Sequence, residues 1–137
     1  MELTLSLACE FARARPDGRL DVRGAFNELQ APGFPAAQDR MTVVFVMEWG
    51  PTERGRHAFT ADLVDDDDRK VLTIEGHTDV DPGFRGEGRA PAQTRLVMEL
   101  ERVVFPHPGR YRFLLDVGGR KREAFALHVS AAEEDRT

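Results

Sequence analysis

The chain's dominant rhythm is a period of two. From Leu3 the odd positions read Leu3, Leu5, Leu7, Cys9, Phe11, and the even ones Thr4, Ser6, Ala8, Glu10, the alternation of a strand with one buried face. Pro16-Asp17-Gly18 then supplies a turn, with proline presetting φ and glycine accepting a positive φ. A second strand is predicted from Leu20 to Leu29, with Leu20, Val22, Gly24 and Phe26 on one face. Gly24 inside it marks a bulge or a close backbone approach. Beyond the loop Ala31-Pro32-Gly33-Phe34-Pro35, a third strand runs from Met41 to Trp49. Met41, Val43, Phe45, Met47 and Trp49 share one side and Val44 and Val46 the other, so this strand is expected to be central and covered on both faces.

Gly50-Pro51 breaks the pattern. Two strands follow, Arg56 to Val64 and Lys70 to Thr78, pairing Phe59 with Ile74 and Ala61 with Leu72 and leaving Asp65 to Asp68 as the hairpin loop. A long loop from Asp79 to Ala92 leads to strands at Gln93 to Glu101, Arg110 to Val117 and Lys121 to Val129. Gly118-Gly119 invites a two-residue turn, but that register sets Leu115 opposite Arg122 and mixes the faces. A three-residue loop, Gly118 to Arg120, sets Phe113 opposite Phe125 and is the expected connection.

About eight short strands between turn signals predict an all-β fold, an antiparallel β-sandwich. Residues 1–130 form its single domain and 131–137 a polar, flexible tail. The connections should alternate between the two ends. The loops at Phe34, Asp65 to Asp68 and His107 share one end; those at Asp17, Pro51, Asp79 to Ala92 and Gly118 share the other.

The 137 residues fit one domain, and the net charge of −5 runs against nucleic-acid binding. Arginine dominates the cations, with only Lys70 and Lys121 as lysines, a GC-rich bacterial coding bias. No apolar run is long enough for a membrane span. The stretch up to Cys9 lacks the positive n-region of a secretion signal, so a cytoplasmic location is expected. The single cysteine excludes an internal disulfide framework.

Candidate chemistry is sparse. Asp65, Asp66, Asp67 and Asp68 could supply two or three oxygens to calcium with help from the loops near Phe34 and His107; otherwise they form a solvated turn. His57 and His77 fall on opposite faces of neighbouring strands, and no histidine pair has zinc spacing. Ser6 and Ser130 have no base beside them, and Cys9 lies on the leucine face, where a buried thiol is a small hydrophobe. No catalytic set and no cofactor motif is found, so the protein is read as a non-enzyme. Gly83-Phe84-Arg85-Gly86-Glu87-Gly88 lacks the strand and helix of a phosphate loop. Arg110, Arg112, Arg120, Lys121 and Arg122 form the one local basic cluster, along the last hairpin, with Arg110 and Arg112 pointing outward. It is a solvated face or a surface that could meet an acidic protein. Phe34 plugs the open end of the core or serves as a partner knob, and Phe84, in the long loop, is the better contact residue.

Three blocks carry a resemblance: Leu7-Ala8-Cys9-Glu10-Phe11-Ala12 with Gly18 to Phe26, Ala31 to Pro35, and Phe105-Pro106-His107-Pro108-Gly109-Arg110-Tyr111-Arg112-Phe113. With these the chain resembles a family of small bacterial proteins known only as a domain of unknown function. The resemblance implies an immunoglobulin-like sandwich and no assigned activity. The function expected is a protein-interaction or scaffold module with a protein partner or self-association, a homodimer included. The alternative is a calcium- or small-ligand-binding domain using the end that carries Asp65 to Asp68.

Overall fold

The apolar alternation resolves into two layers of strand. The computed structural model describes residues 1–81 and 90–132. Its strands are β1 (Glu2–Ala14), β2 (Leu20–Phe26), β3 (Glu28–Ala31), β4 (Ala36–Trp49), β5 (Gly55–Val64), β6 (Lys70–Val80), β7 (Ala92–Phe105), β8 (Gly109–Val117) and β9 (Arg120–Ala131). One sheet has the order β2-β1-β4-β7 and the other β3-β9-β8-β5-β6; the second is a curled half-barrel. Among the described residues there is no helix long and apolar enough to cross a membrane.

β4 organises both cores. Met41, Val43, Phe45, Met47 and Trp49 face the main core between the sheets. There Phe45, Phe113 and Phe125 form an aromatic cluster with ring centroids 5.0 to 6.2 Å apart. Val44 and Val46 face the other way and are buried too, with Cys9 and Ala12, and with Leu7, Leu20 and Val97 packed around them. The cover is the β1–β2 hairpin, which crosses the outer face of the four-stranded sheet. Arg95 on β7 donates to the Gly18 carbonyl in its turn. The expected double coverage of this strand therefore holds.

The predicted leucine face of β1 does not hold. A register shift between Leu3 and Leu5 leaves Leu3 against the main core but sends Leu7 and Cys9 to the smaller one. Leu5 on that side is exposed, and Ser6 and Ala8 take the inner positions, Ser6 donating to the Ala124 carbonyl at 2.7 Å. Gly24 is the expected close approach: its φ is 67°, and a Cβ there would lie 2.7 Å from the Glu10 side chain.

The predicted strand from Leu20 to Leu29 is two strands in different sheets. β2 pairs antiparallel with β1, then the chain changes layer at Asn27 and β3 pairs with β9 in parallel. The two-sheet fold thus has nine described strands and is not wholly antiparallel. β9 reaches Ala131, and Ala132 N–H donates to the Ala31 carbonyl, so residue 131 belongs to the sheet; residues 133–137 of the predicted tail lie outside the described residues.

Two registers also differ. β5 pairs Phe59 with Gly76 and Ala61 with Ile74, two residues away from the expectation. The turn Asp65 to Arg69 takes one residue more than predicted, and a register shift between Leu63 and Val64, which leaves Val71 extra, takes the other. The Phe59 ring then occupies the space a Cβ on Gly76 would need. The two-residue slip preserves the faces. Between β8 and β9 the loop is the two-residue Gly118-Gly119 turn, with φ of 59° and 86°, as a hairpin's twist favours. Leu115 pairs with Arg122, and a register shift beyond Leu114 still brings Phe113 opposite Phe125. The extra residue is Ala124 within β9, where the predicted loop would have spent it at Arg120.

Candidate functional site

The acidic end is built around Asp65, which is buried. Its Oδ1 accepts the N–H groups of Asp67 and Arg69 at 2.9 and 2.8 Å, and its own N–H donates to the Arg69 carbonyl. His107 Nε2 lies 3.1 Å from Oδ2. The Arg69 N–H leads in holding the Asp65 carboxyl below its usual range, against the opposing effect of burial. His107 is raised, first by its contact with the Pro108 carbonyl and then by Asp65. Tyr111, fully buried, donates to the His107 carbonyl at 2.5 Å and accepts the His107 N–H. Asp66 is exposed and lies with Asp65 and His107 close enough for three ligand atoms to fall within 4.8 Å. Asp68 pairs with Arg112. The four aspartates therefore do not converge. Asp65 closes the turn with both oxygens engaged within the fold, and Asp68 reaches an arginine.

The other predicted residues scatter. Arg110 and Arg112 face outward as expected, but Arg110 pairs with Glu123 at 2.9 Å and Arg112 with Asp68. Phe34 is half-buried and packs against the main core, fitting its reading as a plug. Phe84 lies outside the described residues. Cys9 is buried, and that burial raises its thiol pKa. His57 and His77 pair with Thr78 and Ala58 respectively, which puts them on opposite faces.

Among the described residues, three of the four large exposed apolar side chains, Leu5, Phe11 and Val22, sit on the β1–β2 hairpin. Arg23 lies over the Phe11 ring at 5.3 Å. Among the described strands β2 pairs with β1 alone and forms the margin of its sheet.

The opposite end of the two-sheet fold carries Arg120 and Arg122, which the sequence marked as part of a solvated basic hairpin but did not place toward the other sheet. Because the β8–β9 turn is short, Arg120 pairs with Val117 and Arg122 with Leu115, both core residues. The two arginines therefore stand on the inter-sheet side of β9. They line a cavity of about 500 Å³ with Trp49, Thr52, Glu53 and His57. His57 stacks on Trp49 with ring centroids 4.5 Å apart, and its Nε2 donates to the Glu53 carbonyl at 2.8 Å. Trp49 is held by its indole N–H on Thr94. The Glu53 carboxylate takes the α-ammonium of Met1 and the Gly50 N–H, which together lower its pKa. The one available sequence signal was the Gly118-Gly119 pair, whose natural register already sets Leu115 beside Arg122.

A family model described as a family of unknown function (DUF6941) matches residues 4–130. No curated protein matches the chain.

Proposed function

Because the chain belongs to this family of unknown function, which brings no activity with it, we propose from its own geometry that the domain is a non-catalytic protein-interaction module of the immunoglobulin-like sandwich kind. Tyr111, bonded back to the backbone of His107 at the start of β8, resembles the tyrosine corner of such sandwiches. The Ser6 hydroxyl is donated to a carbonyl and Cys9 is buried, which takes two of the three nucleophiles considered in the sequence out of use.

The observation that carries the proposal is the margin formed by β2. Among the described residues no strand pairs with its outer side, and such an edge is the kind of element that accepts another strand; exposed Val22 and Phe11 lie on its hairpin. Its sequence is also self-complementary. If two copies pair antiparallel about Val22, each Asp21 faces the Arg23 of the other copy, and the contact closes by two-fold symmetry. A second copy is therefore the occupant proposed here.

Sedimentation over a series from about 10 μM to about 1 mM tests it. The expected result is growth to the mass of two chains, abolished by Val22→Lys, which sets like charges opposite each other. A monomer throughout, or a dimer that Val22→Lys leaves intact, contradicts the β2 edge.

A further inference from the structure

We propose that the cavity at the Trp49–Arg122 end is a binding site for a small oxyanion, a phosphate or a carboxylate group, held by Arg120 and Arg122. It is independent of the β2 edge.

Placement is the first support. Surface arginines normally stand on the solvent side of a strand, while here the extra residue at Ala124 reverses the phase of the start of β9. Arg120 and Arg122 consequently share the side of Val117 and Leu115. Residues two apart on a strand are roughly 6.5–7 Å apart at Cα, a separation from which two guanidiniums can close on one anionic group. Guanidinium forks favour the paired oxygens of carboxylate and phosphate.

Charge is the second support. Among the described residues no carboxylate lies within 4.0 Å of either guanidinium, whereas Arg54, Arg56, Arg110 and Arg112 each have one. The acid in the lining, Glu53, is turned to Met1 and Gly50. The mouth is thus locally cationic in a chain whose net charge is −5, which focuses anions on it. Its third wall is rigid: the His57 ring is fixed by the Trp49 stack and the Glu53 carbonyl.

Trp49, the chain's only tryptophan, lines the cavity and makes fluorescence the readout. The full chain is titrated with pyrophosphate and, separately, with citrate, and sodium chloride at matched ionic strength is the control. The expected result is a saturable change with at least one of the two. The probe that acts identifies a phosphate or a carboxylate ligand. In Arg120→Gln/Arg122→Gln the half-saturating concentration should rise about ten-fold or more. Arg122→Lys, which keeps the charge and loses the fork, should fall between. Equal melting temperatures for wild type and variants show that folding is not the cause. A response reproduced by sodium chloride, no response to either probe, or a double variant that titrates like the wild type overturns the site.

Discussion

The two ends of the sandwich use polar residues in opposite ways. At one end Asp65, His107 and Tyr111 bond to one another and to the backbone of two turns, so their capacity is consumed in holding β5, β6 and β8 in place. At the other end Arg120 and Arg122 line a cavity with no acid within salt-bridge distance among the described residues. The first end looks more like a binding site in the sequence, because four consecutive aspartates are conspicuous. The second has more capacity left to bind. A run of charge is therefore a poor guide to function when the backbone has already claimed it.

The largest expected effect that sharpens this contrast is on folding. Asp65→Ala removes a buried acceptor from two N–H groups, and should lower the melting temperature by roughly 5 °C or more. Arg120→Gln/Arg122→Gln should move it by no more than about 1–2 °C. Thermal melts of the two variants check the difference, and the reverse order would break it. Next in size, Tyr111→Phe leaves the His107 carbonyl and N–H without their partner and should cost about 1–2 kcal/mol in denaturant unfolding.

A smaller effect is the pH dependence of the Asp65–His107 contact. His107 is raised above its ordinary 6.5, so its contribution is complete below 6.5 and is lost as pH rises through the folded value. Asp65 is lowered below 3.8, so its contribution is present above 3.8 and is lost as pH falls through the folded value. The stability difference between wild type and His107→Gln should be greatest between about pH 4.5 and 6 and shrink by pH 8.5; melts across that range test it. The smallest effect expected is that of calcium. With both Asp65 oxygens engaged, millimolar calcium or EDTA should leave the melting temperature unchanged, and a rise with calcium would restore the acidic end as a ligand site.

What the sequence made legible follows from the strength of each signal. The all-β class, the doubly buried β4 and the approach at Gly24 were readable, because period two and a glycine inside a strand have direct physical causes. The failures share another cause. The inward face changes phase beyond Leu3, near Arg102 (φ 54°) and at Ala124. In β7, Leu96, Met98 and Leu100 face the core before Arg102, and Val103 and Phe105 after it. Beyond Leu3 and at Ala124 a bulge adds one residue without any sequence mark as clear as a turn's. Near Arg102 the β4–β7 register runs on unbroken, and the change of face goes with that residue's left-handed φ. Alternation read straight through either feature assigns the wrong face. That is how the leucines of β1 were misplaced, and how Arg120 and Arg122 were passed over as solvent-facing. The change of layer at Asn27 did leave a mark, because the apolar positions pass there from even (Leu20, Val22, Phe26) to odd (Leu29, Ala31), but so short a change of phase does not say that the chain enters another sheet.

The most direct test of the contrast is an amide chemical-shift map of the full chain titrated with pyrophosphate and with citrate at constant ionic strength. The account predicts saturable shifts for at least one of them, concentrated at Trp49, His57 and residues 118–122, with Asp65 to Arg69 unmoved. Shifts centred on Asp65 to Arg69, or spread evenly over every exposed arginine, would contradict it.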